Sequence, residues 1–229
     1  NPIANGSIMT TSFDFNRALV EKYDLPGPRY TSYPTAPQFH QAFAVDDYQR
    51  AASDSNQATT PKSLSVYIHI PFCKSLCYYC ACNKVITKDR GRALPYLQRL
   101  EQEIQLIACH LDPTQKVEQL HFGGGTPSFL SHDELRQLMA QLRKHFNLLD
   151  DDSGDYGIEI DPREADWSTM GLLRELGFNR VSIGLQDLDP AVQRAVNRLQ
   201  SLEETRAVID AARTLQFRSI NIDLIYGLP

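Results

Sequence analysis

The amino-acid sequence predicts an α/β protein built on a parallel sheet, and three observations carry that prediction. Five short β-rich runs recur along the chain, amphipathic helical patterns separate them, and polar or glycine-rich residues collect after the runs rather than before them. In a parallel sheet joined by right-handed crossovers the strand C-termini share one side, so those residues are expected to converge on one site.

Taken in order, residues 1–8 ("NPIANGSI") precede Met9 and read as a tag remnant, with neither the basic stretch nor the apolar core of a secretory signal. Residues 9–62 are rich in Pro, Tyr, Ser and Gln ("DLPGPRYTSYPTAPQ", "SDSNQATTPKS"), which predicts an irregular N-terminal arm with at most short helices. From residue 63 to residue 229 the pattern changes. The runs "LSVYIHI" (64–70), "EQLHF" (118–122), "YGIEID" (156–161), "RVSIGLQ" (180–186) and "SINIDLIYG" (219–227) read as strands buried on both faces.

The intervening segments carry helical signals. Leu97, Leu100, Ile104, Ile107 and Leu111 share one helix face. Ser131 with Glu134, and Ser201 with Glu204, have capping-box spacing, and the first pair precedes a stripe of Leu135, Leu138, Met139, Leu142 and Phe146. A helix around "MGLLREL" is expected to stop at Gly177. The pattern ends at Pro229 after the fifth strand, where a parallel sheet is left with an open edge. The expectation is therefore the N-terminal part of a longer protein.

Bulk properties narrow the function. The 229 residues hold no run of eighteen apolar positions, which excludes a transmembrane helix. A formal charge of −5 gives no overall attraction for nucleic acid or anionic membrane. Four of the five cysteines crowd into "CKSLCYYCAC", and with no export signal a reducing cytoplasm and metal or redox chemistry fit them better than disulfides.

Cys73, Cys77, Cys80 and Cys82 have the spacing C-x3-C-x2-C-x-C. Disulfides among all four would be strained. Structural zinc draws on two separated knuckles, whereas one cysteine loop after a strand wraps more naturally around an iron–sulfur core. Three thiolates on a four-iron cube leave one iron open, and four close it. The spacing assigns Cys73, Cys77 and Cys80 as ligands and leaves Cys82 open between a fourth ligand and a neighbour.

The run "YIHIPFCKSLCYYC" followed by "HFGGGTPS" resembles the radical S-adenosylmethionine (SAM) superfamily. More narrowly, "GPRYTSYPTA", "CAC", "EIDPRE", "FNRVSIGLQD" and "NIDLIYGLP" together resemble the oxygen-independent coproporphyrinogen III oxidases, or coproporphyrinogen dehydrogenases, from about Tyr23 to Pro229. The resemblance implies a partial (β/α)6 barrel, truncated after its fifth strand, with the sixth strand and a C-terminal domain absent. It implies a 4Fe-4S cluster on Cys73, Cys77 and Cys80, with Cys82 beside it, and two molecules of SAM.

It also implies roles for single residues. Tyr67, the backbone near Tyr79, Gly124 and Glu159 meet the cosubstrate. Gly125, Thr126, Gln186, Arg198 and Asp223 meet its second copy. Each has a plainer reading: Tyr67 as core, the glycines as a tight turn, Arg198 as a surface helix residue, Asp223 as a strand-end cap. Glu159 and Asp223 stand out because a carboxylate in a buried strand needs a partner, and Asp161 is a candidate partner for Glu159. Arg29 and Arg163 are candidates for the substrate's propionates, because guanidiniums fork onto carboxylates. Cys109 reads as a buried small residue within a helix.

The implied activity is oxidative decarboxylation of coproporphyrinogen III to protoporphyrinogen IX in haem biosynthesis by a 5′-deoxyadenosyl radical, with an external electron donor and acceptor. The isolated segment need not be active by itself. Two other readings stay open: a haem chaperone of the same superfamily, and a closed-cluster iron–sulfur electron carrier.

Overall fold

The computed structural model describes residues 15–25, 35–57 and 62–229. Arg29 and residues 1–8, the segment expected to be a tag remnant, lie outside the described residues. The chain divides into two compact units, residues 1–45 and 46–229. In the first, α1 (Arg17–Tyr23) starts where the Asn16 side chain accepts from the Leu19 amide.

Helix α2 (Val45–Asn56) occupies part of the stretch read as irregular. Asp46 and Asp47 in its first turn favour it through the helix dipole. At its far end the Asn56 amide donates to the His110 carbonyl at 2.9 Å and its oxygen accepts from the Asp112 amide at 3.1 Å. Those two bonds are tertiary, so no local pattern announced them.

The second unit continues with β1 (Leu64–Ile70), β2 (Phe72–Cys73), β3 (Val85–Ile86), α3 (Ala93–Ala108), β4 (Lys116–Gly124), α4 (His132–His145) and β5 (Asn147–Leu148). It is completed by β6 (Asp155–Ile160), α5 (Trp167–Glu175), β7 (Arg180–Gln186), α6 (Pro190–Ala195), α7 (Leu202–Thr214) and β8 (Ser219–Leu224). The main sheet has the order β1-β4-β6-β7-β8, parallel throughout, with β5 also paired to β4. This is the α/β fold expected, with each long strand returned by a helical crossover.

Both predicted capping boxes form, at Ser131 with Glu134 and at Ser201 with Glu204. Past α5 the chain reverses at Gly177, with φ of +101°, a conformation that glycine reaches without a Cβ penalty. Leu120 and Phe122 on β4, Ile158 and Ile160 on β6, and Val181 and Ile183 on β7 join Leu100, Leu135, Leu142, Leu173 and Val208 from the helices in one core. Phe122 meets Phe178 edge-on at 5.0 Å between ring centres. Burying such a ring contributes about 1.5–3 kcal/mol.

The strands are not buried on both faces, which corrects the expectation. Their residues alternate: the helix-covered face is apolar, while the opposite face carries Tyr67, His121, Gly157, Glu159, Ser182, Gly184 and Asp223. Strand β8 is open over most of its length. Among the described residues, no helix is long and apolar enough to cross a membrane.

Candidate functional site

The cysteine loop leaves the sheet at Ile70 and is pinched at its base. Strands β2 and β3 pair in parallel there, the Val85 amide donates to the Pro71 carbonyl at 2.7 Å, and the Thr87 amide donates to Cys73 at 2.9 Å. Lys84 ties the returning limb, donating from Nζ to the carbonyls of Cys80 at 2.9 Å and Cys82 at 3.2 Å. Far in sequence, the Tyr78 amide donates to the Val196 carbonyl at 3.0 Å and Asn197 Nδ2 donates to the Leu76 carbonyl at 2.7 Å.

All four loop cysteines are free thiols and line one cavity of about 260 Å³. Gly124, Gly125 and Thr126, at the end of β4, form a second wall. Glu159 and Asp161 come from the end of β6, Gln186 from β7, Arg198 from the turn before α7, and Asp223 from β8. Tyr79 and Arg163 also line it. The ends of five strands thus meet, as the parallel topology requires.

Backbone requirements are visible at the glycine wall. Gly124 has φ of +116°, and a Cβ there would lie 2.6 Å from His69 Cε1. A Cβ on Gly125 would lie 2.7 Å from the Pro71 carbonyl oxygen. Gln186 holds φ of +67°, uncommon for a side-chain-bearing residue, where the β7–β8 register shifts.

The polar side chains form two groups. In the first, Tyr67 stacks on His121 with ring centres 5.9 Å apart, and His121 Nε2 lies 3.4 Å from Glu159 Oε1. Glu159 also accepts from the Gly124 amide at 3.0 Å. The Tyr67 hydroxyl and His69 Nδ1 are 3.1 Å apart, and His69 Nε2 meets the Asn83 carbonyl at 2.8 Å. Burial, with the Glu159 charge, pushes the Tyr67 phenol above its ordinary value.

In the second group, Asp161 receives Arg163 Nε at 3.0 Å and Nη2 at 2.7 Å, and Arg198 Nη1 at 3.1 Å. Burial alone would raise the Asp161 pKa. The Arg163 hydrogen bonds and the two positive charges outweigh it and hold the carboxyl below its ordinary value. Arg198 Nη1 also lies 3.6 Å from Cys77 Sγ, and Nη2 donates to the Gly184 carbonyl at 2.7 Å.

Several expectations need correction. Asp161 does not partner Glu159; it follows the last residue of β6 and faces the arginines. Arg198 is not on a surface helix but in a turn, 8% exposed. Asp223 is not deeply buried, and its carboxylate is held by the Ser182 hydroxyl, 3.0 Å from each oxygen. Tyr67 is 57% exposed rather than core. Cys109 is exposed past the end of α3, its thiol 3.0 Å from the Leu106 carbonyl.

His121, Ser182 and Asn197 were missed. For His121 and Ser182 the signal was present: His121 keeps strand phase with the first glycine of the "GGGTP" run, and Ser182 with Gln186. Asn197 carried no local signal.

The donor set is four thiols from one loop around a shared cavity, soft ligands of the kind that hold iron–sulfur cores. Burial first, then the thiol neighbours Cys80 and Cys77, raises the Cys73 pKa against an opposing hydrogen bond from Thr126. A metal taken up there would displace a proton. Arg198 Nε is buried without a hydrogen-bond partner, which leaves a donor for a bound group in a side chain that lines the cavity.

Comparison with known proteins finds similarity over most of the chain. The Radical SAM superfamily profile matches residues 67–229. The chain is 67% identical over 221 residues to the oxygen-independent coproporphyrinogen III oxidase of Pseudomonas aeruginosa, covering 96% of this chain and 48% of that protein. It is 46% identical over 217 residues to the same-named protein of Salmonella typhimurium, covering 94% and 46%. A solved structure of coproporphyrinogen III oxidase from Escherichia coli, a radical SAM enzyme, superposes with a TM-score of 0.82 at 44% identity, covering 94% of this chain and 46% of that one. The chain spans about half the length of the curated relatives it matches.

Proposed function

This chain belongs to the radical SAM superfamily, and on that premise we propose that it carries the cluster and cosubstrate site of an oxygen-independent coproporphyrinogen III oxidase acting in the cytoplasm. The observation that carries the proposal is the convergence of Cys73, Cys77 and Cys80 with the Gly124–Thr126 wall and the Asp161–Arg198 group around one cavity. Cys73, Cys77 and Cys80 would hold a 4Fe-4S cluster, and Cys82, an exposed free thiol, would be its neighbour.

Gly124, Glu159, Tyr67 and the backbone near Tyr79 would bind SAM. Gly125, Thr126, Gln186, Arg198 and Asp223 would bind a second copy. When bound, the cluster and SAM supply one-electron reduction of the sulfonium and a 5′-deoxyadenosyl radical. The chain's own task is to orient. Glycine backbone would admit the cosubstrate closely, Glu159 would accept from its polar groups while anchored on the Gly124 amide, and the unpaired Nε of Arg198 would be left for a carboxylate.

Each of two propionates of coproporphyrinogen III would lose one hydrogen atom, one carbon dioxide and one electron to become a vinyl group, and the other two would remain in protoporphyrinogen IX. An external donor supplies the reducing electron and an acceptor takes the released one. Arg29 is the better candidate for the propionates, because the Arg163 fork is already occupied by Asp161.

The test is anaerobic reconstitution with iron and sulfide, reduction, and electron paramagnetic resonance with and without SAM, with Cys82→Ala alongside. A reduced 4Fe-4S signal that shifts with SAM and survives loss of Cys82 supports an open iron. A cluster indifferent to SAM would instead favour a closed four-cysteine carrier.

A further inference from the structure

The cysteine loop is gripped by a segment more than a hundred residues away. Residues Val196, Asn197 and Arg198 face residues Leu76, Cys77 and Tyr78 with three contacts. The Val196 carbonyl accepts from the Tyr78 amide at 3.0 Å, Asn197 Nδ2 donates to the Leu76 carbonyl at 2.7 Å, and Arg198 Nη1 reaches Cys77 Sγ at 3.6 Å. The middle residue of the loop segment is the one whose sulfur is touched, and both peptide neighbours are tied down.

The grip is itself held. Asn197 sits at φ of +57°, a left-handed conformation that Asn tolerates better than most residues and that turns its side chain's backbone away from the helical path. Arg198 is held from three sides: Nη2 donates to the Gly184 carbonyl, Nη1 donates to Cys77 Sγ, and Nη1 also forms an ion pair with Asp161 Oδ2 at 3.1 Å. Asp161 is fixed in turn by the bidentate fork of Arg163 and by its own acceptance of the Arg163 amide at 3.1 Å.

We propose that the turn Val196–Arg198, anchored by Asp161, is a positioning device for Cys77. It clamps the loop on both sides of that cysteine and donates an N–H hydrogen bond to its sulfur, which makes a bound cluster easier to reduce. The inference rests on the reading of Cys77 as a cluster ligand. The physical reason is that an N–H donor, here with a full positive charge, draws electron density from a ligating thiolate and favours the more negative, reduced cluster. Asp161 and Asn197 act through others and touch neither cluster nor cosubstrate in this account.

The test separates the two halves. The full-length protein, Arg198→Met and Asn197→Gly are reconstituted anaerobically. Cluster midpoint potential is measured without SAM, so that cosubstrate affinity plays no part, and iron release to a chelator is timed. Arg198→Met should carry a cluster with a more negative potential. Asn197→Gly, which keeps the left-handed backbone, should release iron several-fold faster with its potential unchanged.

If Arg198→Met takes up no cluster, Arg198→Leu, which also removes every donor, carries the same potential measurement. A loaded Arg198 variant with the unsubstituted potential overturns the sulfur hydrogen bond. An Asn197→Gly protein that releases iron at the unsubstituted rate overturns the clamp. Absence of any cluster in the unsubstituted protein overturns the cluster reading, and the inference with it.

Discussion

Replacing Gly124 with alanine places a methyl group where the chain leaves little room for one. The backbone there holds φ of +116°, and the new Cβ would lie 2.6 Å from His69 Cε1 and 2.7 Å from Nδ1. The strained backbone costs about 1–3 kcal/mol. The imidazole cannot yield freely, because Nε2 donates to the Asn83 carbonyl at 2.8 Å, leaving Nδ1 to accept the Tyr67 hydroxyl at 3.1 Å. Displacing the ring loses up to two hydrogen bonds at about 0.5–1.5 kcal/mol each. Together the substitution should destabilise the fold by roughly 2–6 kcal/mol. Urea unfolding of the metal-free protein, followed by circular dichroism, measures it. A loss below about 0.5 kcal/mol, within the range of an ordinary surface substitution, would refute both the strain and the rigidity assigned to His69.

Three further substitutions test other parts of the account. Gly171 lies inside α5 with nothing within 4 Å of a built Cβ, so Gly171→Ala should raise stability by about 0.5–1 kcal/mol in the same assay. The Tyr156 hydroxyl, in a side chain only 2% exposed, donates to the Val117 carbonyl at 2.9 Å and accepts from the Leu149 amide at 2.7 Å. Tyr156→Phe leaves both groups unpaired and should lower the unfolding free energy by about 1–3 kcal/mol. The Arg174 hydrogen bonds, with help from Asn179, hold the Asp152 carboxyl below its ordinary value. That contribution is complete above the unfolded pKa, about 3.9, and is lost as pH falls through the lower folded pKa. Asp152→Asn should therefore show a smaller drop in Tm between pH 5 and pH 2.5; an unchanged drop would place the acid sensitivity elsewhere.

Legibility varied with the range of the signal. Both capping boxes were readable because a helix N-terminus is satisfied within four residues, and Gly177 because a left-handed reversal selects its residue locally. Strand phase was readable too, but the expectation of two buried faces was not met. Glu159 and Ser182 occupy the phase opposite to Ile158 and Val181, which places them on the polar side of the sheet. Alternation within runs as short as "YGIEID" is easily mistaken for continuous apolar character, because glycine belongs to neither class.

Charge partners were the least legible. Asp161 lies two residues from Glu159 in the chain, yet it meets Arg198, thirty-seven positions away, because β6 and β7 are neighbours and the turn after α6 folds back over their ends. The same return brings Asn197 to Leu76. No spacing rule links those positions.

By itself the sequence determined the alternation of strands and helices, the helix caps and the crowding of four cysteines into one loop, since each depends on residues within a few turns of chain. Only the tertiary structure decided which carboxylate pairs with which guanidinium, and that the Cys77 sulfur is met by one of them. Those pairings depend on strand order and crossover geometry, which bring distant residues within the 3–4 Å over which hydrogen bonds and ion pairs act.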